Sequence, residues 1–194
     1  MEIEYFRSLR KRELHCHLSG AFSMKFIENL IKENKIVVPK EFSFPSDLFI
    51  NRPVENIVDY FKPWQLLKLL PIGYSQFEGM VKNSLLELVK DGVEYVEFRY
   101  SPLTIMNNNN ISVEECLNWF ISVVDNNIMP IDCRFILTVS RENLDVLFLN
   151  KILDALVNVE YRKAIVGVDL AGNETFIVPN DLDFFLREQN MSLD

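Results

Sequence analysis

Three short apolar segments each follow a stretch with helical periodicity: "VEYVEFRY" at 93–100, "DCRFILTV" at 132–139 and "AIVGVDL" at 164–170. A fourth strand is expected at 12–17. Helices are expected at about 22–34, 74–92, 112–127, 142–158 and 180–189. Strands alternating with helices predict a parallel sheet covered by helices. An open doubly wound sheet satisfies that order, but no Gly-rich phosphate turn follows the first strand. A (β/α)8 barrel satisfies it too, and its usual length is about 250 residues. The expected fold is therefore α/β, the N-terminal half of a TIM barrel of about four βα units. It forms a single incomplete domain over residues 1–194.

An extra helical segment is expected between the first strand and the helix at 74–92. "VENIVDYFKPWQLLKLL" is helical on either side of Pro63, which should break it. Residues 38–54 look irregular. "NNNN" at 107–110 reads as a loop before a helix capped by Ser112, with Glu115 three residues on. Tyr95, Ile136 and Val168, or their neighbours, are expected on the inward face of the sheet.

The only two histidines, His15 and His17, sit one residue apart in "ELHCHLSGA". On a strand, alternation puts them on one face, with Leu14, Cys16 and Leu18 on the face that suits helices. Two imidazoles so placed can converge on one ion at the end of a strand. A catalytic metal needs about three protein ligands. The alternative is a hydrogen-bonded pair in a core strand. Cys16, by its parity, reads as a buried thiol and not as a third ligand.

"YVEFRYSP" places Glu97, Arg99 and Ser101 on one face of its strand. Buried charge needs partners, so Glu97 and Arg99 should pair with each other or with neighbouring strands. "VGVDLAGNE" ends a strand at Asp169 and enters a loop at Gly172. That is either an ordinary turn or a place where backbone comes close to a ligand.

Together, "ELHCHLSGA", "GVEYVEFRYSP" and "IVGVDLAGNE" resemble the adenosine deaminase family of metal-dependent hydrolases, from about residue 11 to 175. The resemblance implies a (β/α)8 barrel with one Zn2+ at the C-terminal ends of its strands. The zinc would activate a water that displaces ammonia from C6 of a purine nucleoside or nucleotide. It implies that His15 and His17 are zinc ligands and that the Gly172 backbone N–H meets the purine. Phe61, Trp64 and Leu67 would cap the pocket with apolar side chains, or simply pack helices. Glu97, Arg99, Ser101 and Asp169 are read as structural residues beside the site.

Two departures from the family pattern matter. Ser19 stands where the family commonly has an Asp that contacts the ribose 5′-hydroxyl. A serine binds that hydroxyl less well and does not repel a phosphate. In addition, the family's third histidine, its "HAGE" acid/base glutamate and a metal-binding aspartate have no counterpart here. A truncated or split gene product is expected, inactive alone and completed by a second chain supplying the C-terminal half. The competing readings are another HxH hydrolase of phosphoesterase type and a noncatalytic binding module.

Net charge is −8, which argues against nonspecific binding to nucleic acid or an anionic membrane. No segment reads as a signal peptide or a membrane span. Cys16, Cys116 and Cys133 are widely spaced and odd in number, which suits the cytoplasm.

Overall fold

The computed structural model describes residues 3–143 and 146–176. Its sheet has four parallel strands in the order β1-β2-β3-β4. The strand order never reverses, as it must in a doubly wound sheet.

In chain order, α1 (Ile3–Ser8) leads into β1 (Lys11–His17), and α2 (Met24–Glu33) follows. The Ser23 hydroxyl caps α2 by accepting from the Phe26 N–H at 3.3 Å. The expected helical insert is present and breaks where proline requires. α3 (Ile57–Tyr60) stops at Phe61, and α4 (Lys62–Leu67) restarts with Pro63 in its first turn, where no backbone donor is needed.

α5 (Tyr74–Lys90) ends before Gly92, whose φ of +79° turns the chain into β2 (Val93–Tyr100). Then come α6 (Pro102–Asn109), α7 (Val113–Asp125), β3 (Asp132–Ser140), α8 (Val146–Leu156), α9 (Val159–Arg162) and β4 (Ile165–Ala171). The helix expected at 180–189 lies outside the described residues.

The tract 107–110 is not a loop. Pro102 starts α6, and the helix runs through Asn109. The Asn109 side chain donates to the carbonyls of Ile105 and Ile72, at 2.8 and 2.6 Å. Asn110 then ends the helix in the left-handed region, with φ 52° and ψ 47°.

The core lies between the sheet and its helices. Phe135 meets Phe98 on β2, Phe77 of α5 and Phe120 of α7, and all four rings are fully buried. Phe120 and Phe135 are edge to face with centroids 4.8 Å apart. Burying each such ring stabilises the fold by about 1.5–3 kcal/mol.

The opposite face of the sheet carries Tyr95, Glu97 and Arg99 of β2, and Ile136 and Thr138 of β3. Val168 is not among them. It pairs in register with Leu137, on the helix-covered side, and is 38% exposed. The register slips between Phe135 and Ile136, which shifts the alternation of β4 relative to a simple count.

Candidate active site

The β1–β2 pairing slips twice, between Lys11 and Arg12 and between Glu13 and Cys16, and at the latter three steps on β1 match two on β2. Strict alternation therefore fails at Leu14, which is 55% exposed and does not pack on helices as expected. Beyond the slip, Cys16 lies beside Phe98 and His17 beside Arg99. Leu18 is fully buried at the start of a short turn, Leu18–Gly20, that carries Ser19 past the strand end.

The two imidazoles remain neighbours, with ring centroids 5.5 Å apart and planes tilted by 53°. His15 is exposed and His17 half-buried. Burial, then the neighbouring His15 and the Arg99 guanidinium, hold His17 below the ordinary imidazole range, against an opposing pull from Asp169. The ring is therefore neutral at neutral pH, the form that binds a metal.

Among the described residues, no group of three or more His, Cys, Asp or Glu side chains converges as a metal site. The pair thus fits zinc as part of a ligand set and not as a whole one. Cys16 offers no thiolate, because burial and Glu13 push its thiol up to about 11.

Glu97 and Arg99 do not pair with each other. Arg99 reaches over β3 and donates from Nε to Asp169 Oδ2 at 2.8 Å. From Nη1 it donates to the Leu14 carbonyl at 2.7 Å. Glu97 instead accepts from the Tyr95 hydroxyl at 2.8 Å. Arg99 is thus satisfied across strands, and Glu97 by a neighbour on its own strand.

A cavity of about 170 Å³ opens at the strand ends. Of the residues singled out in the sequence, His17, Ser19, Trp64, Leu67, Arg99 and Ser101 line it. His15, Phe61, Glu97, Asp169 and Gly172 do not. Phe61 packs edge to face on Trp64, with centroids 5.9 Å apart, and so supports the wall without forming it. Gly172 has φ +105°, and a Cβ there would sit 3.2 Å from Ser140 Oγ.

The cavity also takes Lys68, Thr104 and Thr138, which sequence reasoning passed over. Thr138 was within reach, since it lies two positions beyond Ile136 on the same face of β3. Lys68 and Thr104 carry no comparable signal, because only the fold brings α4 and α6 to the strand ends.

A profile of the family described as adenosine deaminase matches residues 10–191. The chain is 26% identical, over 97% of its length, to the adenosine deaminase of Plasmodium falciparum, and covers 52% of that protein. It spans about half the length of the curated relatives it matches.

Among solved structures, an amidohydrolase from Burkholderia ambifaria with bound Zn is similar at a TM-score of 0.75 and 18% identity, over 96% of this chain and 50% of that one. Arabidopsis ADAL complexed with GMP is similar at a TM-score of 0.71 and 19% identity, over 95% of this chain and 57% of that one. At such identities the likeness speaks for the fold, and the four-strand sheet is the N-terminal half of a (β/α)8 barrel.

Proposed function

The chain belongs to the adenosine deaminase family, and on that premise we propose that it forms the first half of a purine deaminase site. The reaction exchanges the 6-amino group of a purine nucleoside or related nucleotide for oxygen: water enters at C6 and ammonia leaves. The observation that carries the reading is the His15–His17 pair at the end of β1, with His17 opening on a cavity walled by Trp64 and Leu67.

In this reading His15 and His17 hold the zinc. A bound zinc supplies Lewis acidity that brings the pKa of a water near 7. Trp64 and Leu67 cover the purine face and exclude water, and Ser19 offers a hydroxyl to the sugar. Arg99 positions β1 by holding the Leu14 carbonyl, one residue from His15, while Asp169 fixes Arg99. Glu97 and Ser101 stay structural.

In this reading the remaining ligands and the acid/base glutamate would belong to the C-terminal half of the barrel, which residues 1–194 do not supply. The completed site works in the cytoplasm; the three free cysteines fit that setting. Among the described residues no helix is long and apolar enough to cross a membrane.

The test is co-expression of this chain with a family C-terminal half carrying the missing histidine and glutamate. Adenosine absorbance should fall only when both are present, and His17→Ala should abolish the loss. Full activity with His15 and His17 both replaced refutes the assignment.

A further inference from the structure

Both ends of the peptide group that joins Leu14 to His15 are held by charged side chains. The Leu14 carbonyl accepts from Arg99 Nη1 at 2.7 Å, and the His15 N–H donates to Glu13 Oε1 at 2.9 Å. This peptide lies in the slip of β1. Between the register pairs Glu13–Val96 and Cys16–Phe98, β1 carries Leu14 and His15 where β2 carries Glu97 alone. Two residues opposite one make a bulge, and the extra residue disrupts the ladder. Here a guanidinium and a carboxylate serve the backbone at that point, through the stronger, charge-assisted kind of hydrogen bond.

The bulge decides which way the histidines face. Glu13 lies opposite the fully buried Val96, on the helix-covered side of the sheet. Arg12 takes the other side, with its guanidinium 6.0 Å from the centre of the Tyr95 ring. A regular strand running on from Glu13 would carry His15 and His17 onto the covered side with it. The extra residue reverses that alternation. Cys16 then lies beside the buried Phe98, and His17 beside Arg99 at the cavity.

We propose that Glu13 is a positioning residue for the histidine pair. With Arg99 it clamps the Leu14–His15 peptide, and the bulge so fixed turns His17 to the cavity and keeps His15 beside it. Glu13 does not line the cavity and acts through the backbone alone. The inference rests on the purine deaminase reading, in which the pair holds the metal, and adds to it the residue that aims the pair.

The test compares Glu13→Gln, which keeps an acceptor oxygen, with Glu13→Leu, which removes it, in the full 194-residue chain. Diethyl pyrocarbonate with tandem mass mapping reads the two imidazoles one by one, since the chain has no others. The exposed His15 should react faster than the half-buried His17 in the unsubstituted chain and in Glu13→Gln. The ratio should collapse toward one in Glu13→Leu. In equilibrium dialysis, Zn2+ should bind roughly tenfold more weakly to Glu13→Leu and nearly unchanged to Glu13→Gln, as when a group that orients a metal ligand is lost or kept. A Glu13→Leu protein whose reactivity ratio matches the unsubstituted chain overturns the proposal, whether or not zinc weakens. So does a Glu13→Gln protein that behaves like Glu13→Leu. If the unsubstituted chain binds no zinc while the ratio follows the oxygen at position 13, the metal reading falls and the positioning stands. Should Glu13→Leu not fold, hydrogen exchange of the unsubstituted chain decides. The His15 amide should be protected, and exchange at the rate of an unfolded amide overturns the clamp.

Discussion

Arg99 on β2 and Asp169 on β4 meet across the intervening β3, Nε to Oδ2 at 2.8 Å, with side chains only 14% and 28% exposed. The other arm of the same guanidinium holds the Leu14 carbonyl on β1. One side chain therefore ties three strands together directly beneath the histidine pair. Arg99→Lys keeps the charge but loses the fork that serves two acceptors at once. It should lower stability by about 1–3 kcal/mol. Asp169→Asn should do the same, and the double variant should cost less than the sum. Urea unfolding of the four proteins checks this; full additivity counts against the pair.

Gly172 should resist substitution for a backbone reason. At φ +105° an L side chain is strained, and its Cβ would press on Ser140 Oγ at 3.2 Å. Gly172→Ala should destabilise by about 1 kcal/mol or more. Gly20 is the control, since a Cβ there meets nothing within 4 Å. Equal urea midpoints for the two alanine variants contradict the argument.

Zinc should bind weakly to the chain alone and depend wholly on the histidine pair. Two imidazoles leave the remaining positions to water, whereas tight sites use four protein ligands and catalytic ones three. Equilibrium dialysis should give a micromolar or weaker site that disappears in His15→Ala/His17→Ala. A nanomolar site that survives both substitutions places the metal elsewhere.

The three thiols should be slow to react. Burial pushes Cys116 and Cys133 up to about 12, and burial with Glu13 pushes Cys16 up to about 11. At pH 8 the folded protein should alkylate far more slowly than the urea-unfolded chain, which exposes ordinary thiols of pKa about 8.5. The sign for stability follows. Between about pH 8.5 and 12 the unfolded state gives up protons that the folded state keeps, so stability is full below that window and falls as pH rises through it. A rise in urea midpoint between pH 8 and 10 contradicts it.

Legibility in the sequence followed the range of the interaction. β2 was readable to the residue, because a helix stop at Gly92 and an apolar alternation define it locally. Pro63 likewise marks the break between α3 and α4. The 107–110 tract misled because what makes Asn109 helical is a bond to Ile72 in a distant segment. Local sequence left Glu97 and Arg99 to pair with each other or with other strands, and only the fold decides it: Arg99 takes an acid seventy positions away and a carbonyl on β1. The slip at Leu14 has no composition signal at all. It arises from fitting β1 against β2.

That slip bears on how the lone chain should behave. Leu14 on the β1 edge is 55% exposed, and Val166 and Val168 on the β4 edge are 40% and 38% exposed. Among the described residues neither outer edge has a partner strand, and both carry apolar side chains, the combination that invites another chain. Covering several such side chains is worth up to about 1.5–3 kcal/mol each, against a typical domain stability of about 5–15 kcal/mol. The purified chain should therefore sediment as associated species and bind a hydrophobic dye. Edge charges, Leu14→Lys with Val166→Lys, should shift it toward monomer without unfolding it. A co-expressed C-terminal half should achieve the same while restoring a single sharp thermal transition. A monodisperse, dye-silent monomer with a sharp transition of its own shows instead that the four strands are self-sufficient.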